Sequence, residues 1–589
     1  MEDFIERLKQ RKLVQWALAY AAAAFALIQV LDIVAQRFGW PDSVERFTIV
    51  AMAVGFFVTL VLAWYHGERG VQKTTSTELL ILALLLTIGG VAAWRLAPAP
   101  VTAQATAVSS APPVGPATTA AIPDKSIAVL PLVNESGDKD QQYFSDGLSE
   151  DLITALSQFA GLKVINRDSS FQFRASKDSV QAIGERLGVA HLLEGSVQKL
   201  GDEVRISAEL VNCADGGTVW SEHYDRPYKD LFALQDDLTK AVADALKTKL
   251  LMTPGAVAQS DRPPSGNLAA YTAFLRGVAE ADLGTEAGTR NSIAQFDEAI
   301  RLDPHYALAY AAASRAWGAL AGTFDTAPAD QRRDIAQVRT AVNRALQLNP
   351  DLAAAHGALA GLMQAFDFNW QGALTESQRA ADLAPGTADA KFGLAGIQAR
   401  LGHLTTAVEL DRQALASAPL DAVGYFGLGR KLSGLGQLDE AETALRKSIE
   451  LTPGASRPYA YLTIIKVQRG DAAAALVAAK KTPPGFWHDF AVALALQIGT
   501  NRVAADTALN DFIGKDGAGV YYQIAEVYAV RKDRDNMFKW LDRAWSNDDA
   551  GVELLLFDPL ILRYKDDPRF AAFCKKVGLP TTTDAKTML

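Results

Sequence analysis

Carboxylates are the first residues to weigh. Asp146, Glu150 and Asp151 lie close together in SDGLSEDLITALSQF, and clustered carboxyl groups are what general acid–base work requires. The apolar residues Leu148, Leu152, Ile153, Leu156 and Phe159 of that stretch have helical spacing. The three acids are therefore expected in a helix's first turn, where negative charge complements the dipole, and a structural role is favoured over acid–base chemistry. Glu194 sits inside the apolar run HLLEGSV, either on an exposed face or buried and paired. The two cysteines, Cys213 and Cys574, are too few for a disulfide framework or a Cys-based zinc site and read as small buried thiols. The seven histidines are scattered, with no pair at ligand spacing. No GxxxxGK[ST] phosphate loop, HExxH zinc motif or GxSxG elbow occurs. No catalytic residue, cofactor or metal site is assigned, and the chain is not expected to be an enzyme.

The stronger candidates suit recognition, and helical repeats must position them. Asp303-Pro304, Asn349-Pro350, Ala384-Pro385, Ala418-Pro419 and Thr452-Pro453 recur as helix-ending pairs. From Pro350 the steps are 35, then 34 to Pro419 and 34 again to Pro453, the tetratricopeptide period. Tyr425, Leu428 and Gly429 fall in the first helix of the best unit, and Ala441 and Leu445 in the second. Gly402, Gly436 and Gly470 recur at the turn between paired helices. One pair cannot bury its apolar face alone, so neighbours stack into a superhelix. By register, Phe392, Phe426, Arg430 and Arg457 point to its inner face, where aromatic anchors with arginines suit protein or peptide partners. The longer step from Pro304 to Pro350 leaves an extra segment at 322–333, read as a longer loop in preference to a partner-contacting insertion. A further helix pair, in AEVYAVRKDRDNMFKWLDRAW, and a capping segment fill 485–589, with TTTDAKTML expected to fray.

Ahead of the repeats, 124–251 reads as an α/β domain. IAVLPLV and LKVINR are short strands, with helices in the 145–159 and 180–187 stretches. HLLEGSVQKLG, EVRISAELVNCA and GTVWSEHYDR then follow as strands with Gly201-Asp202 and Gly216-Gly217 at the hairpin turns. A helix at about 229–249 closes the domain, giving a mixed sheet with helices on one side. SIAVLPLVNESGDKDQQYFSDGLSEDLITAL, HLLEGSV and GGTVWSEHYDR resemble the TolB-like amino-terminal domain, which in bacteria often precedes tetratricopeptide repeats. The resemblance implies a binding or assembly module and brings no catalytic residues. In some relatives this architecture follows a cyclase or winged-helix domain. Only about a dozen residues precede the first apolar segment here, so a sensory role does not transfer directly.

The first hundred residues are far more apolar than the average. Segments 13–35, 47–65 and 79–97 each match about 30 Å of hydrocarbon at about 1.5 Å per residue, and read as three transmembrane helices. With the amino terminus inside, Arg7, Lys9, Arg11, Lys12, Arg69 and Lys73 face Arg37, Arg46 and Arg95 across the bilayer, a bias that places the remainder outside. Residues 98–123, rich in Pro, Ala and Thr and free of charged residues, form a linker. A net charge of −9 over 589 residues, without a basic stripe, argues against nucleic-acid binding. The sequence therefore predicts a multidomain bacterial inner-membrane protein: three transmembrane helices (1–97), a TolB-like α/β domain, tetratricopeptide repeats (267–484) and a cap. These would display a protein-interaction scaffold to periplasmic envelope partners. The alternative is a signalling subunit that couples periplasmic binding to a separate effector.

Overall fold

The computed structural model describes residues 122–246, 261–325, 327–517 and 519–586. The expected fold class needs correcting at its membrane part. Among the described residues no helix is long and apolar enough to cross a membrane, and segments 13–35, 47–65 and 79–97 lie outside the described residues. What the described chain forms is a mixed sheet at 126–227 followed by an array of paired helices. All of it falls in one compact unit, Thr119–Leu589.

The sheet runs β3 (Lys163–Val164), β1 (Ser126–Val129), β4 (His191–Leu200), β5 (Glu203–Asn212), β6 (Thr218–Pro227), with β2 (Val133–Asn134) also on β4. The β1–β3, β1–β4 and β2–β4 pairings are parallel, and the two hairpins are antiparallel. Pro131 separates β1 from β2, because it offers no N–H to a ladder. Alternation then sorts the side chains. Ile127 and Val129 enter the core under α1 (Gln142–Ser157), while Ala128 and Leu130 enter a smaller one on the opposite face. That smaller core follows the short helix α2 (Arg167–Ser170) and takes Ile183 and Leu187 of α3 (Val180–Leu187). Helices therefore cover both faces near β1, against the one-sided expectation. α4 (Leu231–Ala245) joins α1 on the main face.

The repeats pair as α5 (Leu268–Ala281) with α6 (Glu286–Leu302), α7 (Ala307–Ala319) with α8 (Pro328–Leu348), α9 (Ala353–Ala365) with α10 (Trp370–Leu383), and α11 (Ala388–Arg400) with α12 (Leu404–Ser417). Then come α13 (Ala422–Gly434) with α14 (Leu438–Leu451), α15 (Ser456–Gln468) with α16 (Ala472–Lys481), α17 (Phe486–Gln497) with α18 (Arg502–Asp516), and α19 (Tyr521–Arg531) with α20 (Arg534–Ser546). Each residue before a pair-ending proline leaves the helical region, as the proline ring requires; Asp303, Asn349 and Thr452 all have ψ between 79° and 94°. Gly402, Gly436 and Gly470 take φ of +83°, +72° and +71° at the turns inside the pairs. Phe368 fills the same slot one repeat earlier at φ +49°.

Segment 322–333 is not a loop. A π turn, Leu320–Phe324, extends α7, and α8 starts at Pro328, a residue suited to a first helical turn. Asp325 is held there by Arg290 at 2.7 Å and Arg333 at 3.4 Å.

Two junctions tie the array together. The sheet's main core runs on without a break into Tyr271, Phe274, Phe296, Tyr306 and Leu320 of the first two helix pairs. At the other end, the segment after α20, including α21 (Pro568–Lys576), folds back along the array to α10. Trp370 Nε1 donates to the Val577 carbonyl at 3.0 Å. The tail expected to fray is pinned as far as it is described: Asp584 accepts from Leu404 N at 2.7 Å and Thr405 N at 2.9 Å, capping α12 from 180 residues away.

Candidate functional site: an arginine–aromatic cluster and an acidic cavity

Phe426 and Arg430 stand one helical turn apart on α13, and Arg457 opens α15, so adjacent first helices bring the three together. The Arg430 guanidinium lies 5.3 Å from the Phe426 ring, 5.2 Å from Tyr461 and 5.1 Å from Phe557. Arg457 lies 5.2 Å from both Phe426 and Trp487. These distances are in cation–π range. Phe392 is not part of this cluster. It packs under Gly424 and faces a neighbouring cavity.

The charges here are unevenly balanced. Arg400 meets Glu553 of the returning segment at 2.9 Å. Arg430 faces Glu526, a buried carboxyl hydrogen-bonded to Asp558, and burial followed by the Asp558 charge pushes Glu526 well above the ordinary carboxylate range. Arg430 Nε and Nη2 are nevertheless buried without an acceptor. Arg457 is exposed and has no carboxylate partner among the described residues. Desolvation and the neighbouring Arg430 lower its pKa. Sequence reasoning missed Tyr461, Trp487 and Phe557. The first two lie on first helices at positions that register could have flagged, but Phe557 arrives only because the chain folds back.

The second site lies where α1 meets the array. Asp146, Glu150 and Asp151 are not in a first turn, because α1 begins at Gln142, continuing a 3-10 turn capped by Asp138. Asp146 pairs with Arg174 at 2.8 Å. Glu150 lies 3.2 Å from Arg167, which also meets Asp282. Asp151 accepts from Gln235 Nε2 at 2.5 Å and from the Tyr271 hydroxyl. It also hydrogen-bonds the carboxyl of Asp261, an arrangement that holds one proton between two acids. Burial is the largest cause in each case: it pushes Glu150 up to about 7, Asp261 up to about 6, and Asp151 well up. These acids border a cavity of about 510 Å³, which shares Thr154, Asp261, Arg315 and Asp389 as lining residues with a second of about 810 Å³. The larger cavity runs along the first helices α7, α9 and α11 and takes in Phe392 and Arg400.

Glu194 is half-buried on the sheet and directly opposite Glu209, so desolvation and then that like charge raise its pKa. Cys213 and Cys574 are buried free thiols, and desolvation pushes them up to about 11 and about 12. Among the described residues, no group of three or more His, Cys, Asp or Glu is arranged to hold a metal ion.

Comparison with known proteins adds the following. The family model for the HilA/YgeH-like transcriptional regulator, second domain, matches residues 123–244, where the sequence resembles the TolB-like domain. A tetratricopeptide repeat model matches residues 422–454. A protein of Rhizobium meliloti (strain 1021) named "Putative adenylate cyclase 3" is 30% identical over 321 residues, 54% of this chain and 42% of the relative. The chain thus spans about two-fifths of that relative's length. Among solved structures, YrrB, described as a TPR protein with an unusual peptide-binding site, is 17% identical with a TM-score of 0.26, over 36% of this chain and 97% of its own. The pilF protein of Pseudomonas aeruginosa is 16% identical with a TM-score of 0.30, over 38% and 96%. PilW, a type IV pilus biogenesis factor, is 14% identical with a TM-score of 0.29, over 44% and 99%. The repeat period, the left-handed turn glycines and the repeat-model match on α13 and α14 together give the described helix pairs the character of a tetratricopeptide array.

Proposed function

We propose that the chain is a protein-interaction scaffold whose helical array receives an extended, acidic segment of a partner on Arg457 and the rings beside it. One observation carries this reading: an exposed guanidinium held on two aromatic faces, on which Glu553 acts only from beyond ion-pair distance. A partner's Asp or Glu would supply a carboxylate within that distance, and an adjoining aromatic or aliphatic residue would extend the Phe426–Tyr461–Trp487 row. Glu553 and Phe557 illustrate the chemistry from within the chain, since they engage Arg400 and Arg430 in the same way.

The test is a fluorescent peptide array probed with the full chain and its Arg457→Glu variant. Peptides that pair an acidic residue with an aromatic one should be retained by the parent and lost by the variant. Binding indifferent to peptide charge, or unaffected by the substitution, would sink the reading. A second reading, a signalling subunit coupled to an effector, is favoured by the match to the cyclase-named relative. It predicts that partner binding changes cyclic-nucleotide levels in cells, and constant levels would discard it.

A further inference from the structure

The acidic cavity is a separate feature, and nothing in the scaffold reading requires it. Its walls come from α1, α5, α6, α7 and the start of α11. Phe274, Leu275, Val278 and Phe296 give it an apolar floor, and its volume of about 510 Å³ suits a small molecule. Two charged side chains in it make no hydrogen bond or ion pair among the described residues. Asp389, exposed in the first turn of α11, has no hydrogen bond or ion pair among the described residues, and it borders both cavities. Arg315, on α7, is close enough to act electrostatically on Glu150, Asp261 and Asp389, yet bonds to none of them. Arg167 is committed to Glu150 and Asp282. Even with one proton shared by Asp151 and Asp261, the walls carry more negative than positive charge. Desolvation raises the pKa of Asp389, as it does for Glu150 and Asp261, against the opposing pull of Arg315.

We propose that this cavity binds a small molecule with an apolar body and an ammonium group, the ammonium lying between Glu150 and Asp389 and the body on Phe274 and Phe296. The same chemistry belongs to a simple amine and to an amino acid. The two differ in whether Arg315 receives a carboxylate.

The experiment is isothermal titration calorimetry on the full chain with phenethylamine, phenylalanine and 2-phenylethanol, repeated with Asp389→Asn and Arg315→Met. Because Asp389 is exposed and has no hydrogen bond or ion pair among the described residues, its Asn variant should melt like the parent. Binding of an ammonium compound, at least about tenfold weaker in Asp389→Asn and absent for the alcohol, is the expected result. Phenylalanine binding more tightly than phenethylamine, with the advantage lost in Arg315→Met, identifies the amino-acid class. The reverse order identifies the amine. Equal heats from the alcohol, an unchanged constant in Asp389→Asn, or no heat from any probe overturns the proposal.

Discussion

Lys431 and Asp411 provide the most demanding test of how the array is held together. Their side chains meet at 2.7 Å between α12 and α13, and both residues are buried. At an effective dielectric of about 20, that distance corresponds to about 6 kcal/mol of attraction. Against this stands a desolvation penalty of several kcal/mol for each ion. The two terms nearly cancel, and burial is the largest influence on both groups, lowering Lys431 and raising Asp411. Lys431→Met alone should therefore cost about 3–5 kcal/mol, because Asp411 is left charged and alone. Adding Asp411→Leu should restore stability to within about 1–2 kcal/mol of the parent, since a well-packed apolar pair substitutes for the ions. Hydrogen exchange of the α12–α14 amides is the right assay, because a repeat array opens locally and a single unfolding midpoint would blur the effect. A double variant as unstable as Lys431→Met, or a single variant costing less than about 1 kcal/mol, would refute the reasoning.

Three further outcomes follow from contacts already described. Glu150 and Asp261 have folded pKa values above their ordinary ones, so their contribution is fully present below about pH 4 and is lost as pH rises to about 7. Glu150→Gln should flatten that part of a stability-versus-pH curve measured by thermal melting, and an unchanged slope would count against the assignment. Gly470→Ala should cost about 1–2 kcal/mol, from the left-handed backbone in open space. Gly402→Ala should cost more, because its methyl would meet the Thr582 carbonyl at 2.9 Å, and removing residues 580–589 should bring the two costs together in urea titrations. Asp584→Ala should cost about 0.5–2 kcal/mol through the lost α12 cap and speed exchange at Leu404 and Thr405, which a merely frayed tail would not do.

The repeats were legible because their signals are local. A proline forces its predecessor out of the helix, and a glycine marks a left-handed turn, so Pro385, Pro419 and Pro453 with Gly402, Gly436 and Gly470 place the pairs without tertiary knowledge. The hairpins at Gly201 and Gly216 were readable for the same reason. The acidic cavity was not. Asp151 looks like a surface acid until Tyr271, 120 residues later, is folded onto it. A 3-10 turn running into α1 also moved the three acids away from the helix end where the dipole argument applied. Arg430 and Arg457 were readable from register, but the Phe557 ring over one of them was not.

A stack of helix pairs ordinarily communicates only between neighbours, so either end can melt while the middle stays folded. The returning carboxy-terminal segment changes that wiring. Contacts such as Trp370 to Val577 and Leu404 to Asp584 span 207 and 180 residues and join the middle of the stack to its end. Loop closure over such separations costs only slightly more entropy than over short ones, while each added contact links distant repeats into one cooperative block. During synthesis, α10 to α13 must wait for residues 577–585 before the surface those residues contact is covered. A chain lacking residues 577–585 would leave that surface open.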